Sequence, residues 1–115
     1  MKLLRSLATS TLILAGCAIG VSSERISAAE SSIRAAEEVG APGVPAAALH
    51  LQLAKEETRQ AMKLIGDGDD ANAEGQLLRA QADAELAVAL TREAGLKADA
   101  EKVMDQARSL KEQNR

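Results

Sequence analysis

Apolar side chains in the central part of the chain return at steps of three and four residues, the rhythm of one face of an α-helix. Ile26, Ala29, Ile33 and Ala36 share one such face, which predicts a first helix over about 23–39. Ser22 or Ser23 can start it, because a serine hydroxyl accepts a hydrogen bond from one of the free amides of a first turn. Gly40 is placed to end it in a left-handed conformation, and Ala41-Pro42-Gly43-Val44-Pro45 reads as a turn. Pro45 suits the first position of a second helix, where a missing N–H costs nothing. That helix is expected over about 46–65, with Ala47, Leu51, Ala54, Thr58, Ala61 and Ile65 on its stripe and Leu49, Leu53 and Leu64 beside it.

Gly66-Asp67-Gly68-Asp69-Asp70 breaks the rhythm, with Gly66 expected to end the second helix and an aspartate to cap the third. So short a link requires the two helices to pack antiparallel as a hairpin. The third helix is expected over about 70–113. Its first half carries Leu77, Ala80, Ala84, Ala87, Thr91, Ala94 and Ala98 in alternating steps of three and four, with Leu78, Leu86, Val88 and Leu90 widening the face. A stripe that is mostly alanine implies close approach of its neighbours.

The lengths do not match. A second helix of about 20 residues is roughly 30 Å long, whereas an unbroken third helix would reach roughly 65 Å, so the first two can cover only its first half. Yet the second half keeps an apolar stripe of its own: Leu96, Ala100, Val103, Ala107 and Leu110, at the spacing of a coiled-coil seam. Two readings compete at Gly95. It can cap the helix and let residues 97–113 fold back as a fourth, or it can sit inside a continuous helix at a cost of about 1 kcal/mol. No Pro, Asn or second Gly joins Gly95 to make a turn, so the continuous helix is expected. The stripe is then a candidate interaction face for a protein partner or for self-association.

Composition narrows the class to all-α. Alanine supplies 24 of the 115 residues, and it is the best helix former and a poor strand former. The expected architecture is a signal peptide, then a short three-helix up-down bundle made of a helical hairpin and an N-terminal helix, ending in a long C-terminal helix. The formal net charge of −3 and the absence of Phe, Tyr and Trp argue against nucleic acid, which needs basic side chains for phosphates and rings for bases. The same lack of rings removes the usual platform for a sugar.

The N-terminal segment has a different pattern. Lys2 and Arg5 make a basic start, and Leu7 to Ala15 is an apolar run interrupted by Thr9, Ser10 and Thr11, far short of the roughly 20 residues that span a bilayer. It ends in Leu14-Ala15-Gly16-Cys17, where one aliphatic and two small residues precede the only cysteine. In this the chain resembles a bacterial lipoprotein precursor. The resemblance implies a lipobox at Leu14, Ala15, Gly16 and Cys17, cleavage between Gly16 and Cys17, and acylation of Cys17. Residues 1–16 would be the signal peptide, 17–22 a lipidated tether and 23–115 the helical domain. Two or more acyl chains make a stable anchor where one is marginal. Ala18, where an aspartate often retains such proteins at the inner membrane, favours the outer membrane and a periplasm-facing cell-envelope location. Losing Lys2 and Arg5 from the 14 basic residues leaves 12 against 17 acidic ones. With its sole cysteine lipidated the chain has no disulfide.

A second resemblance rests on Gly40-Ala41-Pro42, Leu51 and Ala54, Gly66-Asp67, and the run Ala80, Ala82, Asp83, Ala84, Leu86 and Ala87. Over about residues 28–95 the chain is similar to the helical domain of unknown function found in bacterial envelope lipoproteins, sometimes ahead of an OmpA-like domain. That resemblance implies a helical fold and brings no catalytic residue with it.

Nor do the remaining polar residues assemble a site. A calcium loop starting at Asp67 would need glycine in its sixth place and glutamate in its twelfth, and finds Asn72 and Leu78. Asp67, Asp69 and Asp70 therefore read as a turn and helix cap, with no metal expected. His50 has no serine, cysteine or second histidine placed to work with it and reads as a side chain at the edge of a helix face. Met62 and Met104 read as gap-filling apolar residues and Glu56-Glu57 as exposed helix surface. The expectation is a lipid-anchored, non-enzymatic envelope scaffold or adaptor without a cofactor or small-molecule substrate. The alternative is a regulator that binds a specific periplasmic enzyme or transport complex through the helical hairpin.

Overall fold

The computed structural model describes residues 20–115, and among them it places three α-helices, one 3₁₀ turn and no strand. The lipobox lies outside the described residues. α1 spans Ser23–Glu38, and Ser22 caps it, its hydroxyl oxygen accepting from the Arg25 N–H at 3.2 Å. Gly40 then takes the left-handed conformation (φ 89°) and leads into a single 3₁₀ turn, Ala41–Gly43. α2 spans Pro45–Gly66, with Pro45 at its first position as its fixed φ and missing N–H favour.

The link to α3 differs from the expected one in a single detail. Gly66 is the last residue inside α2, and the left-handed residue is Gly68 (φ 79°). The Gly68 N–H bonds to the Ile65 carbonyl at 3.1 Å and the Asp69 N–H to the Leu64 carbonyl at 2.9 Å. This double closure requires its left-handed residue one place beyond the cap, so Gly68 rather than Gly66 carries it. Asp69 then caps α3, accepting from both the backbone and the side-chain amide of Asn72. α3 spans Asp70–Gln113 and runs through Gly95 without a break.

α2 lies antiparallel to both α1 and α3. One cluster of the core joins the end of α1 to the start of α2 and the middle of α3, through Ile33, Ala36, Leu51, Ala84 and Ala87. The other joins the start of α1, the end of α2 and the start of α3, through Ala29, Ala61, Ala73, Leu77 and Ala80. Ten of the 13 buried hydrophobic residues are alanine, and Leu77 is the only large side chain fully buried among the described residues. Helices with alanine between them approach closely but remove little apolar area from water per residue. The cost of that economy is visible outside: Leu49, Leu53, Leu78 and Leu86, expected to widen the packed faces, remain substantially exposed.

Candidate functional site

The packed part of α3 ends at Ala94. From Gly95 to Arg115 every residue is exposed, because α1 and α2 are too short to reach that half. Leu96, Val103 and Leu110 are 72%, 63% and 59% exposed, and Ala100 and Ala107 lie between them on the same face. The buried row of α3 stops being apolar at Ala98, and its next places are Glu101, Asp105 and Arg108. The five candidate residues therefore do not prolong the core stripe. They lie on the other side of the helix, turned away from the direction of α1 and α2. Two ion pairs along the helix brace this half, Lys97 with Glu93 at 2.6 Å and Arg108 with Asp105 at 3.3 Å. Hydrogen bonding to Lys97, reinforced by its charge, lowers the Glu93 carboxyl below the usual range, and Glu93 in turn raises the Lys97 ammonium.

A second group sits on the seam between α2 and α3. His50 Nδ1 lies 2.6 Å from Asp83 Oδ1, with both side chains half-buried. Glu57 lies two turns along α2 on the same side, and its Oε2 is shielded from solvent with no hydrogen-bond partner among the described residues. Its carboxyl is pushed up, first by burial and then by the charge of the nearby Asp83 carboxylate, while Arg79 pulls the other way. The pairing of His50 with Asp83 was not legible from spacing, since the two are 33 positions apart and only the packing of α2 on α3 brings them together. The His50–Asp83 contact helps to fix the register of the hairpin. Among the described residues no cysteine or hydroxyl nucleophile joins it, and no group of three or more His, Cys, Asp or Glu is placed to hold a metal ion.

The sequence profile of one family, described as a domain of unknown function (DUF4398), matches residues 24–103. The chain belongs to the DUF4398 family. No curated protein and no solved structure matches it. The DUF4398 segment takes in α1, α2, the packed half of α3 and the exposed half as far as Val103. It is helical throughout apart from the two turns, as the resemblance implied. No helix among the described residues is long and apolar enough to cross a membrane. The lipobox residues Leu14, Ala15, Gly16 and Cys17 precede both the DUF4398 segment and the described residues.

Proposed function

We propose that this DUF4398 protein is a lipid-anchored, periplasm-facing scaffold or adaptor of the cell envelope that performs no catalysis and works through the exposed face of α3. The observation that supports the reading is that α1 enters the bundle at one end and the unpacked half of α3 leaves it at the other. Arg25 at the start of α1 pairs with Glu74 near the start of α3 at 3.5 Å, so the chain enters at the end of the bundle where α3 begins. The unpacked half of α3 leaves from the opposite end. An anchor at Cys17, a few residues before Ser22, would hold the entry end at a membrane. α3, 44 residues or roughly 66 Å long, would present its free half at a distance from that anchor.

Changing Cys17 to Ser tests the anchor: incorporation of a fatty-acid analogue should be abolished and the protein should leave the membrane fraction. Labelling and fractionation that match the unaltered chain would overturn it. A second reading, a regulator that docks its hairpin on one periplasmic enzyme or transport complex, draws support from Leu49 and Leu53, exposed beside Gln52 and Glu56 in a shallow groove along α2. A photo-crosslinker in place of Leu53 that captures one recurring protein, with none captured from Val103, favours the regulator. The reverse favours the adaptor.

A further inference from the structure

The exposed stripe does not begin where α3 leaves the bundle. Continuing its steps of three and four backwards from Leu96 gives Glu93, Ala89, Leu86 and Ala82, all exposed, with Ala89 at the edge of the stripe where a shallow groove separates it from Ser32 and Ala35 of α1. α3 thus carries two seams of the coiled-coil spacing: one buried through Leu77, Ala80, Ala84 and Ala87, and one open to solvent from Ala82 to Leu110 with Glu93 as its one charged place. The open seam is roughly 42 Å long, so whatever covers it lies along the packed half and the free half together. Its repeat of seven residues suits a helix wound around α3.

We propose that the cover is α3 of a second copy, packed antiparallel about a two-fold axis that passes beside Gly95. In that register Leu86 faces Val103 of the other copy, Ala89 faces Ala100 and Ala82 faces Ala107, and each layer occurs twice because the interface is isologous. The free half of each copy covers the packed half of the other from Ala82 to Ala107, and Leu110 reaches past the seam to Arg79 of the other copy. Charge selects this register. It sets Arg92 beside Asp99 of the second copy, on both sides of the axis. Sliding one heptad in one direction sets Lys97 against Lys97 and Asp99 against Asp99; sliding in the other sets Arg92 against Arg92 and Glu85 against Asp99. A parallel pair in register stacks Glu93 on Glu93 and brings Arg92 to Lys97 of the other copy. Like charges across a coiled-coil seam disfavour each of these. Glu93, opposite Leu96 in the proposed register, is already partnered by Lys97 of its own helix. This inference rests on the reading of the α3 face as an interaction surface but not on the anchor at Cys17.

The test is crosslinking of the full chain in intact cells with a short bis-maleimide, read on a denaturing gel, with the unaltered chain as the control for Cys17. Ala89→Cys combined with Ala100→Cys should give a covalent dimer, because the two positions face each other between copies and lie roughly 16 Å apart within one helix. Either substitution alone should give none. A dimer from Ala100→Cys alone means a parallel pair or the antiparallel register slid by one heptad, in which the two Ala100 positions lie about one turn apart, and overturns the proposal, as does the absence of dimer from the doubly substituted chain. Against that doubly substituted background, Arg92→Asp and Asp99→Arg should each reduce the dimer several-fold, and the two together should restore it. Failure of the swap to restore the dimer, with helicity by circular dichroism unchanged, overturns the register. Fatty-acid labelling at Cys17 is unaffected by any of these substitutions, so loss of the dimer and loss of the anchor are read separately.

Discussion

Up to Ala94, α3 turns Leu77 and a row of alanines into contact with α1 and α2; beyond Gly95 the same helix has no inward side at all. The two halves share one continuous helical backbone, and they are stabilised differently. The packed half draws on tertiary contacts, which are short-ranged because alanine keeps the helices close. The free half, as one chain presents it, has only helix propensity and solvent-screened ion pairs along the helix. An isolated helix of that length is marginal by itself, so its persistence depends on continuity with the packed half. A large side chain therefore means stability in one half and is free for recognition in the other.

Substitutions of similar chemistry in the two halves break or sharpen that contrast. The largest effect is expected for Leu77→Ala, which opens a cavity at the one large side chain fully buried among the described residues and should cost about 2–5 kcal/mol. Leu110→Ala removes the same atoms from a side chain that is 59% exposed and should change the stability of the single chain by no more than about 0.5 kcal/mol. Urea titration followed by circular dichroism measures both, and equal losses would mean that the free half is packed on something within the chain. Next comes Ala84→Leu, which forces a large side chain between helices spaced for alanine and should cost about 1–3 kcal/mol. Ala100→Leu in the same assay should be tolerated.

Gly95→Ala should act in the opposite direction. The helix is continuous there and a Cβ at Gly95 would meet nothing within 4 Å, so alanine should strengthen the junction by about 1 kcal/mol. Slower amide exchange over residues 96–110 would report it, and faster exchange would mean that Gly95 is needed as a hinge. The smallest effect belongs to the half-buried seam. Because the folded state raises the Glu57 carboxyl, the native chain holds that proton more tightly than the unfolded chain, and this contribution falls as pH rises through the folded value. Glu57→Gln should then raise Tm at pH 7 and lose most of that gain toward pH 4. A gain that is the same at both pH values would assign the effect to something other than the titration of Glu57.

Much of this could be read from the order of the residues, for local reasons. The rhythm of Ile26, Ala29, Ile33 and Ala36, the left-handed Gly40, Pro45 at a first turn and the lack of any turn partner for Gly95 are facts about neighbours in sequence, and each sets a helix or its end without help from elsewhere. The overhang was legible by the same means, as a difference of helix lengths. Tertiary structure decided what depends on one helix lying on another. Which of Gly66 and Gly68 turns left-handed follows from where the last carbonyls of α2 find their donors. His50 meets Asp83 only through the register of α2 on α3. Leu86 has the same apolar character as Leu77, yet it stays at the surface, because a helix surrounded on one side by two neighbours has only so many places to bury. That last selection also joins Ala82, Leu86 and Ala89 to the stripe beyond Gly95, since the steps alone cannot tell which of two apolar seams on a helix will be covered by its own chain.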